Sequence, residues 1–277
     1  MDRIRLNEII NNALQEDIGW GDVTTESTIS KDKISSARLI AKQNGIMCGL
    51  DVFELVMKTV DDKIKISMHC NDGDCVEKGQ LIANINGPSA SILTAERVAL
   101  NFLQRMSGIA TQTAKMVELV KGTNAAIVDT RKTTPGLRML EKYAVRIGGG
   151  HNHRFNLADG VLIKDNHIRA AGGITQAVVA AKKVVSHMIK IEVETENIQM
   201  VEEALSASAD VIMLDNMDVE AMAQAVKLIG GRAIVEASGN MGEGNIKQVA
   251  LAGVDIISIG SLTHTVSALD ISLRFDY

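Results

Sequence analysis

The sequence predicts an α/β protein whose second half forms an open, TIM-like α/β barrel. Six short aliphatic runs recur in that half, and they end at Asp129, Lys164, Glu194, Asp215, Gly239 and Gly260. Amphipathic helical stretches lie between the runs, and the last four ends are about 21 to 25 residues apart. Buried strands that alternate with helices indicate a parallel sheet, and six near-regular units favour a barrel. A doubly wound open sheet is the alternative, although no Gly-rich dinucleotide fingerprint follows the first run.

The first part of the chain predicts a smaller domain of helices and short strands. One face of a helix is predicted by the spacing of Leu6, Ile9, Ile10, Ala13 and Leu14, and Gly19 and Gly21 follow as the helix end. Residues 35–85 contain short runs in which apolar and polar positions alternate. Such alternation is typical of strands with one buried face.

A second helical pattern begins at Ser91, and we expect Ser107-Gly108 to break that helix. We therefore place the domain boundary at Gly108. An N-terminal domain then spans 1–108 and the barrel spans 109–265. The tail, 266–277, can pack back on the N-terminal domain.

The composition is that of an ordinary soluble globular protein. Of the 277 residues, 46% are hydrophobic and 23% are charged, which excludes a disordered or collagen-like chain. The formal net charge is −5 and only 3% of the residues are aromatic. Both values argue against a nucleic-acid partner, because nucleic-acid-binding proteins carry basic surfaces and aromatic side chains on which bases stack.

No segment of the sequence predicts a membrane span or an export signal. No run of eighteen apolar residues occurs, and the charged N-terminus lacks the apolar core of a signal peptide. Cys48, Cys70 and Cys75 show no metal-like spacing, so we expect reduced, buried thiols. These features predict a cytoplasmic protein without a membrane partner.

Positive charge is concentrated in one segment of the predicted barrel. Between Arg131 and Lys164, seven basic residues oppose two acids, so this stretch carries +5 and the remainder of the chain −10. Arginine binds carboxylates and phosphates through paired hydrogen bonds, so the segment suits a small ligand with several negative charges. Arg138, Lys142 and Arg146 recur at steps of four, and we interpret these three as an ordinary exposed row of a helix.

The carboxyl ends of the strands meet at one rim of a barrel, where barrel active sites lie. The polar, charged or glycine residues at these ends are Asp129, Arg131, Lys132, Lys164, Asp165, Glu192, Glu194, Asp215, Asn216, Glu236, Ser238 and Gly260. Each residue alone also fits a solvated loop. Carboxylates that face a phosphate site, here Glu194 and Asp215, usually hold Mg²⁺ or ribose hydroxyls. The Gly-rich ends 238–240 and 259–262 come last, where backbone N–H groups commonly bind a phosphate.

Eight strings, in order along almost the whole chain, resemble the quinolinate phosphoribosyltransferases. They are EDIGWGDVTT (16–25), TAERVALNFLQRMSGIAT (94–111), DTRKTTPGLR (129–138), GGGHNHRFNLADGVLIKDNHI (148–168), EVET (192–195), LDN (214–216), EASGN (236–240) and SIGSLTH (258–264). The resemblance implies an N-terminal α/β sandwich domain followed by an open α/β barrel.

The same resemblance implies an activity in de novo NAD biosynthesis. Phosphoribosyl pyrophosphate would transfer its phosphoribosyl group to quinolinate, and nicotinate mononucleotide, pyrophosphate and CO₂ would result. Mg²⁺ is the implied cofactor, and the implied assembly is a homodimer. Arg97 would be donated across the dimer interface to the partner's site.

Residue roles also follow from the resemblance. The implied quinolinate-binding residues are Arg97, Arg131, Lys132, His153, Arg154 and Lys164. Glu194 and Asp215 would hold the ribose hydroxyls or the metal, directly or through water. The implied 5′-phosphate cradle is Ser238, Gly239, Gly260 and His264. Lys132, Lys164, Glu194 and Asp215 are the implied catalytic residues, and His151 has no assigned role.

Three other functions stay open at this stage. A molybdenum-transport-associated relative shares the fold but should differ in the dicarboxylate pocket. A Schiff-base aldolase would use Lys164 at a barrel strand end as its nucleophile. A phosphosugar-binding module would bind phosphoribosyl pyrophosphate and release no pyrophosphate.

Overall fold

The computed structural model describes residues 1–276 and contains two compact units. The first unit comprises residues 1–114, 133–149 and the chain from Thr265 onward. The second unit comprises residues 115–132 and 150–264.

The elements up to residue 119 are α1 (Arg3–Ile18), α2 (Val23–Thr28), β1 (Ile34–Ala41), β2 (Gly45–Ile46), α3 (Leu50–Val60), β3 (Lys65–Met68), β4 (Cys75–Val76), β5 (Leu81–Pro88) and α4 (Ser89–Leu119). From there to residue 215 they are β6 (Ala126–Val128), α5 (Arg138–Ile147), β7 (Val161–Ile163), α6 (Asp165–Ala171), α7 (Ile174–Val184), β8 (Ile191–Thr195), α8 (Ile198–Ser206) and β9 (Val211–Asp215). The remaining elements are α9 (Val219–Ile229), β10 (Ile234–Ser238), α10 (Ile246–Leu251), β11 (Ile256–Ser258), α11 (Ser261–His264) and β12 (Ile271–Phe275).

The first unit is built on a four-stranded antiparallel sheet with the strand order β12-β1-β5-β3. Along β1, Ala37, Leu39 and Ala41 are buried while alternate positions are more exposed, which is the pattern the sequence predicted. The first helix forms as predicted and Gly19 is its C-cap, with Leu6, Ile10 and Leu14 as its buried face. The other two predicted apolar positions, Ile9 and Ala13, are only half-buried.

The second unit is built on a six-stranded parallel sheet with the order β6-β11-β10-β9-β8-β7. Each strand from β7 to β11 lies beside its successor in the chain, and β11 pairs with β6. This order is that of a barrel that is open between β6 and β7, whereas a doubly wound sheet reverses direction at a switch point. The six predicted strands and the open TIM-like barrel are therefore confirmed.

The predicted break at Ser107-Gly108 is wrong, because α4 continues without interruption to Leu119. A side chain at Gly108 would place its Cβ 2.2 Å from the carbonyl oxygen of Ser267. The glycine therefore permits close contact between the helix and the backbone near Ser267, and it does not end the helix. Ser107 is also fully buried within the helix, where its hydroxyl accepts a hydrogen bond from the Cys48 N–H.

Two further predictions for the first unit need correction. The 35–85 region contains the helix α3, whose buried face includes Val52, Phe53 and Val56, so this region is not composed of strands alone. The prediction of an exposed basic row on α5 is wrong at Lys142, which is only 1% exposed. That helix buries residues on more than one side, including Glu141, so a step-of-four row cannot stay in solvent along its length.

The cysteines are free, as expected, but they differ in burial. Cys48 is buried, Cys70 is partly buried and Cys75 is exposed, so the expectation of buried thiols holds fully only for Cys48. Within residues 1–276, no helix combines the length and the apolar character that crossing a membrane requires.

Candidate active site

A cavity of about 860 Å³ opens at the carboxyl ends of the parallel strands. Eleven of the twelve residues predicted for the site line it, namely Arg131, Lys132, His153, Arg154, Lys164, Glu194, Asp215, Ser238, Gly239, Gly260 and His264. Its volume lies in the range of small-molecule sites. The exception is Arg97, which is an exposed residue of α4 in the first unit.

The sheet explains why residues so far apart in sequence meet here. Lys164 directly follows β7, Glu194 lies next to the last residue of β8, and Asp215 ends β9. Ser238 ends β10, and Gly260 follows β11 by two positions. Parallel strands in a barrel present their carboxyl ends at one rim, so these five strands all contribute residues to the same cavity.

Lys164 and Glu194 form an ion pair across neighbouring strands. The Lys164 Nζ lies 2.5 Å from Glu194 Oε2, and the carboxylate side chain is only 12% exposed. The lysine side chain remains 44% exposed. The amine is therefore positioned by the carboxylate while it is still accessible to a ligand in the cavity.

Two turns meet beside Asp215, because Asn216 follows β9 while Gly239 and Asn240 follow β10. Asn216 and Asn240 have φ values of +54° and +48°, a region that asparagine tolerates better than most residues. Asn216 Nδ2 donates to Asp215 Oδ2 at 2.8 Å, and its backbone N–H donates to the Ser238 carbonyl at 3.0 Å. Gly239 has φ +89°, and a Cβ there would lie 2.3 Å from Asn216 Oδ1. The backbone of this cradle thus has no room for a side chain.

The loop after β11 lies against Lys132. A Cβ on Gly260 would lie 3.0 Å from Lys132 Cδ and 3.2 Å from His264 Cδ2. The Thr263 hydroxyl donates to the Lys132 carbonyl oxygen at 2.7 Å. Thr263 was not among the predicted residues, although it lies within the SLTH string. Its buried hydroxyl fixes the Lys132 backbone next to the predicted phosphate cradle.

Arg131 and Arg154 bring two positive charges to one side of the cavity. The Arg154 Nη1 donates to the Gly160 carbonyl at 2.9 Å, which orients the guanidinium. Burial, and then the neighbouring charge of Arg131, lower the pKa of Arg154. Two guanidinium groups that repel each other are stabilised when an anion binds between them, so this side of the cavity suits a dicarboxylate.

His153 contacts two buried carboxylates on the inner side of the cavity. Its Nε2 lies 3.1 Å from Glu192 Oε2 and 3.4 Å from Glu236 Oε2. Burial lowers the pKa of His153, but the hydrogen bonds to Glu192 and Glu236 outweigh it and raise the pKa to about 10. Burial raises the pKa of Glu192. Both carboxylates thus contact the same nitrogen of the His153 ring.

The backbone around His153 is fixed as well. The Asp129 carboxylate is fully buried, and it accepts hydrogen bonds from the His153 N–H at 2.9 Å and from Asn152 Nδ2 at 2.6 Å. Asp129 was one of the polar strand-end residues, yet it is not among the cavity-lining residues. Its contacts show that it organises the loop that carries His153.

The cavity offers the donors that Mg²⁺ prefers. Glu194 and Asp215 both line it and supply carboxylate oxygens from adjacent strands, and Mg²⁺ is bound through such oxygens together with substrate phosphates. A second group of potential ligands is His153, Glu192 and Glu236, whose ligand atoms lie within 4.8 Å of one another. The Glu194 and Asp215 pair is the better match for Mg²⁺, because that metal is rarely held by an imidazole.

Comparison with known proteins identifies the family. The model of the quinolinate phosphoribosyl transferase C-terminal domain matches residues 109–274, and that of the N-terminal domain matches residues 22–107. The chain belongs to the quinolinate phosphoribosyltransferase family. The resemblance carried by the eight strings is thereby confirmed.

Individual relatives agree over the full chain. The probable nicotinate-nucleotide pyrophosphorylase (carboxylating) of Bacillus subtilis is 44% identical over 273 residues, which are 99% of this chain and 94% of that protein. The mitochondrial quinolinate phosphoribosyltransferase (decarboxylating) 2b of Nicotiana tabacum is 44% identical and covers 98% of this chain, with 82% of its own length matched. Among solved structures, the nicotinate-nucleotide pyrophosphorylase of Francisella tularensis superposes with a TM-score of 0.95 at 40% identity, covering 100% of this chain and 98% of that one.

Proposed function

We propose that this chain transfers the phosphoribosyl group of phosphoribosyl pyrophosphate to quinolinate and releases pyrophosphate and CO₂. The product would be nicotinate mononucleotide. The observation that carries the proposal is the cavity of the second unit, where basic residues and two carboxylates lie at one barrel rim. The family membership and the match to decarboxylating relatives support the same reaction.

Quinolinate binding falls to the basic side of the cavity. Arg131, Arg154 and Lys164 carry the charges that neutralise two adjacent carboxylates, and His153 completes this wall. Lys132 lines the same cavity and lies against Gly260, so it can contact both substrates. The ring is thus oriented through its carboxylates, because only one Trp, two Tyr and four Phe occur in the whole chain and none of these aromatic residues within residues 1–276 lines the cavity.

Phosphoribosyl pyrophosphate is assigned to the opposite side. Ser238, Gly239, Gly260 and His264 would surround its 5′-phosphate, since backbone N–H groups after the last barrel strands commonly bind phosphate. Glu194 and Asp215 would hold the ribose hydroxyls or Mg²⁺. The metal, when bound, supplies positive charge to the pyrophosphate leaving group.

The chain's residues then act mainly by orientation and charge. The pyridine nitrogen attacks the anomeric carbon of the ribose while the bond to pyrophosphate breaks. Lys132 and the rim cations stabilise the charge that develops on the departing group, and such preorganised charges contribute about 3–4 kcal/mol each when well placed. The positively charged ring nitrogen then stabilises the electron pair that remains on the adjacent carbon when CO₂ departs, and a proton from water bonds to that carbon in place of CO₂. No protein nucleophile takes part in this sequence.

The Schiff-base alternative is less compatible with the site. The amine of Lys164 lies 2.5 Å from Glu194, in an environment of further cations and carboxylates. A Schiff-base lysine is instead activated by desolvation in an apolar pocket or by another cation alone. The ion-paired arrangement suits a residue that binds an anion.

A pyrophosphate-release assay tests the proposed reaction. The purified chain should release pyrophosphate from phosphoribosyl pyrophosphate when quinolinate and Mg²⁺ are present. Nicotinate, which lacks the second carboxylate, should support far less turnover. Equal use of nicotinate would contradict the decarboxylating assignment, and binding without pyrophosphate release would favour the phosphosugar-binding alternative.

We further propose a homodimer in which Arg97 reaches the partner's cavity. Arg97 is exposed on α4, as a residue offered to another chain would be. Inactive Arg97→Ala and Arg131→Ala proteins, when mixed as heterodimers, should regain activity at one site per dimer. A mixture that stays inactive while mass analysis shows heterodimers would refute the sharing of Arg97. Location in the cytoplasm stays a prediction from the sequence.

A further inference from the structure

Besides Glu194, two buried carboxylates, Glu192 and Glu236, face the interior of the barrel. Glu192 and Glu194 are two positions apart on β8, so both side chains point to the same side of the sheet. Glu236 on β10 is paired with Met213 of β9, which in turn is paired with Glu194. Glu192, Glu194 and Glu236 therefore all face the barrel interior, and Glu194 is the one that forms an ion pair with Lys164.

Within the described part of the chain, neither Glu192 nor Glu236 has hydrogen-bond donors for both of its carboxylate oxygens. Glu192 is 7% exposed and Glu236 is 1% exposed. Among residues 1–276, the Oε1 atom of each has no hydrogen-bond partner. A buried carboxylate with unpaired oxygens lowers the stability of the folded state, so these two residues are poor choices for a merely structural role.

The atom that both carboxylates approach is Nε2 of His153. The other ring nitrogen, Nδ1, accepts a hydrogen bond from the Arg154 N–H at 2.8 Å. The ring is thereby held at both edges, from its own backbone on one side and from β8 and β10 on the other. His153 itself lines the cavity, with its side chain 15% exposed.

His153 needs this support because of its place in the barrel. It lies in the gap between β6 and β7, where the chain makes only an isolated bridge between Val128 and His151. A residue outside a continuous ladder is not aligned by strand pairing on both sides. Its side chain must therefore be fixed by other contacts, and Glu192 and Glu236 provide them.

We propose that Glu192 and Glu236 are positioning residues that fix the imidazole of His153 for binding the pyridine dicarboxylate. This inference rests on the proposed function. Glu192 does not line the cavity, and Glu236 lines it with only 1% of its surface exposed. The Oε2 atoms of both approach His153 Nε2, so both act through His153. Their contribution is a hydrogen-bond acceptor at a fixed place, which an amide oxygen can also supply.

Steady-state kinetics of paired variants test this role. Glu236→Leu and Glu192→Leu should each raise KM for quinolinate by roughly 10- to 100-fold, the range expected for loss of a hydrogen bond to an ionic partner. KM for phosphoribosyl pyrophosphate should change by less than about threefold, because that ligand is assigned to the other side of the cavity. Glu236→Gln and Glu192→Gln should recover most of the quinolinate affinity.

Thermal unfolding separates positioning from structural support. The Leu variants should unfold at the same temperature as the unmodified chain or higher, because each removes one of two neighbouring buried carboxylates that repel each other. The exposed Glu202 gives a matched control, and Glu202→Leu should leave both KM values unchanged. A fall in unfolding temperature together with equal rises in both KM values would overturn the proposal.

A double-mutant cycle with His153→Ala completes the test. If the carboxylates act through the ring, Glu236→Leu should have little further effect on quinolinate KM in the His153→Ala background. An undiminished effect there would also overturn the proposal. Failure of the proposed function would look different, because the unmodified chain itself would then release no pyrophosphate with quinolinate.

Discussion

Replacing Gly239 by alanine tests whether the contact between the turn after β9 and the turn after β10 is a rigid part of the site. The new Cβ would lie 2.3 Å from Asn216 Oδ1 and 2.8 Å from the Asn216 backbone nitrogen, where ordinary contacts begin at 3.4 Å. The amide side chain can rotate away, but the backbone nitrogen cannot. The two turns must therefore separate by roughly half an ångström to restore normal packing.

The size of the effect follows from this displacement. Because a misplacement of 1 Å can lower a rate by about 100-fold, a shift of half that size predicts about a tenfold loss of kcat/KM. The loss should be in kcat/KM for phosphoribosyl pyrophosphate, because Asp215 and Ser238 both lie at the displaced turns. The positive φ of residue 239 should lower the free energy of unfolding by a further 1–2 kcal/mol, about the cost of a left-handed conformation for alanine.

Kinetics and chemical denaturation of Gly239→Ala and Gly242→Ala measure both effects. Gly242 lies a few residues further along the same loop, and a Cβ there meets no atom within 4 Å. The control should therefore keep unmodified kinetics. If Gly239→Ala binds phosphoribosyl pyrophosphate normally, the reasoning that makes this turn part of the ligand cradle is wrong.

Three more outcomes are expected. Lys164→Met should lower kcat/KM for quinolinate by about 10- to 100-fold, because a charged hydrogen-bond donor beside Glu194 is lost. Lys183 is exposed, so Lys183→Met should leave kcat/KM unchanged in the same steady-state assay. Equal effects of the two variants would contradict the assignment of Lys164 to quinolinate binding. Chelation by EDTA should stop pyrophosphate release and added Mg²⁺ should restore it, whereas full activity in EDTA would exclude a metal requirement. Burial raises the pKa of the Cys48 thiol strongly, so that thiol stays neutral at pH 8. A thiol-alkylating reagent should therefore modify the exposed Cys75 of the folded chain and leave Cys48 unmodified. Rapid modification of Cys48, detected by mass spectrometry, would contradict its burial.

The barrel and its rim were predictable because their signals are local. Each buried strand is a continuous aliphatic run, and each run ends on a polar residue such as Asp215 or on glycine. Parallel strands then bring these ends together without any knowledge of loop geometry. Most of the predicted site residues therefore line one cavity.

Other features depended on contacts distant in sequence. The glycine at 108 has the local signature of a helix break, yet its role is set by the backbone near Ser267. Burial of Lys142 likewise depends on what packs around α5. Sequence spacing cannot supply either contact, because the partner segments are not adjacent in the chain.

The sequence contained one signal that Glu192 is a buried carboxylate of the barrel interior. Alternation along β8 puts Glu192 on the same face as Glu194, and a glutamate inside a buried strand needs a donor. The donor could not be identified, since His153 comes from a loop outside the ladder. Its position depends on Asp129, whose buried carboxylate binds the His153 N–H.

The most direct test of the account is the ratio of CO₂ to pyrophosphate released by the unmodified chain. Quinolinate labelled with ¹³C in the carboxylate next to the ring nitrogen should yield one labelled CO₂ for each pyrophosphate, in the presence of Mg²⁺. Such a ratio is expected if one cationic cavity binds the dicarboxylate and phosphoribosyl pyrophosphate together. Pyrophosphate release without labelled CO₂, or no release at all, would contradict the central claim.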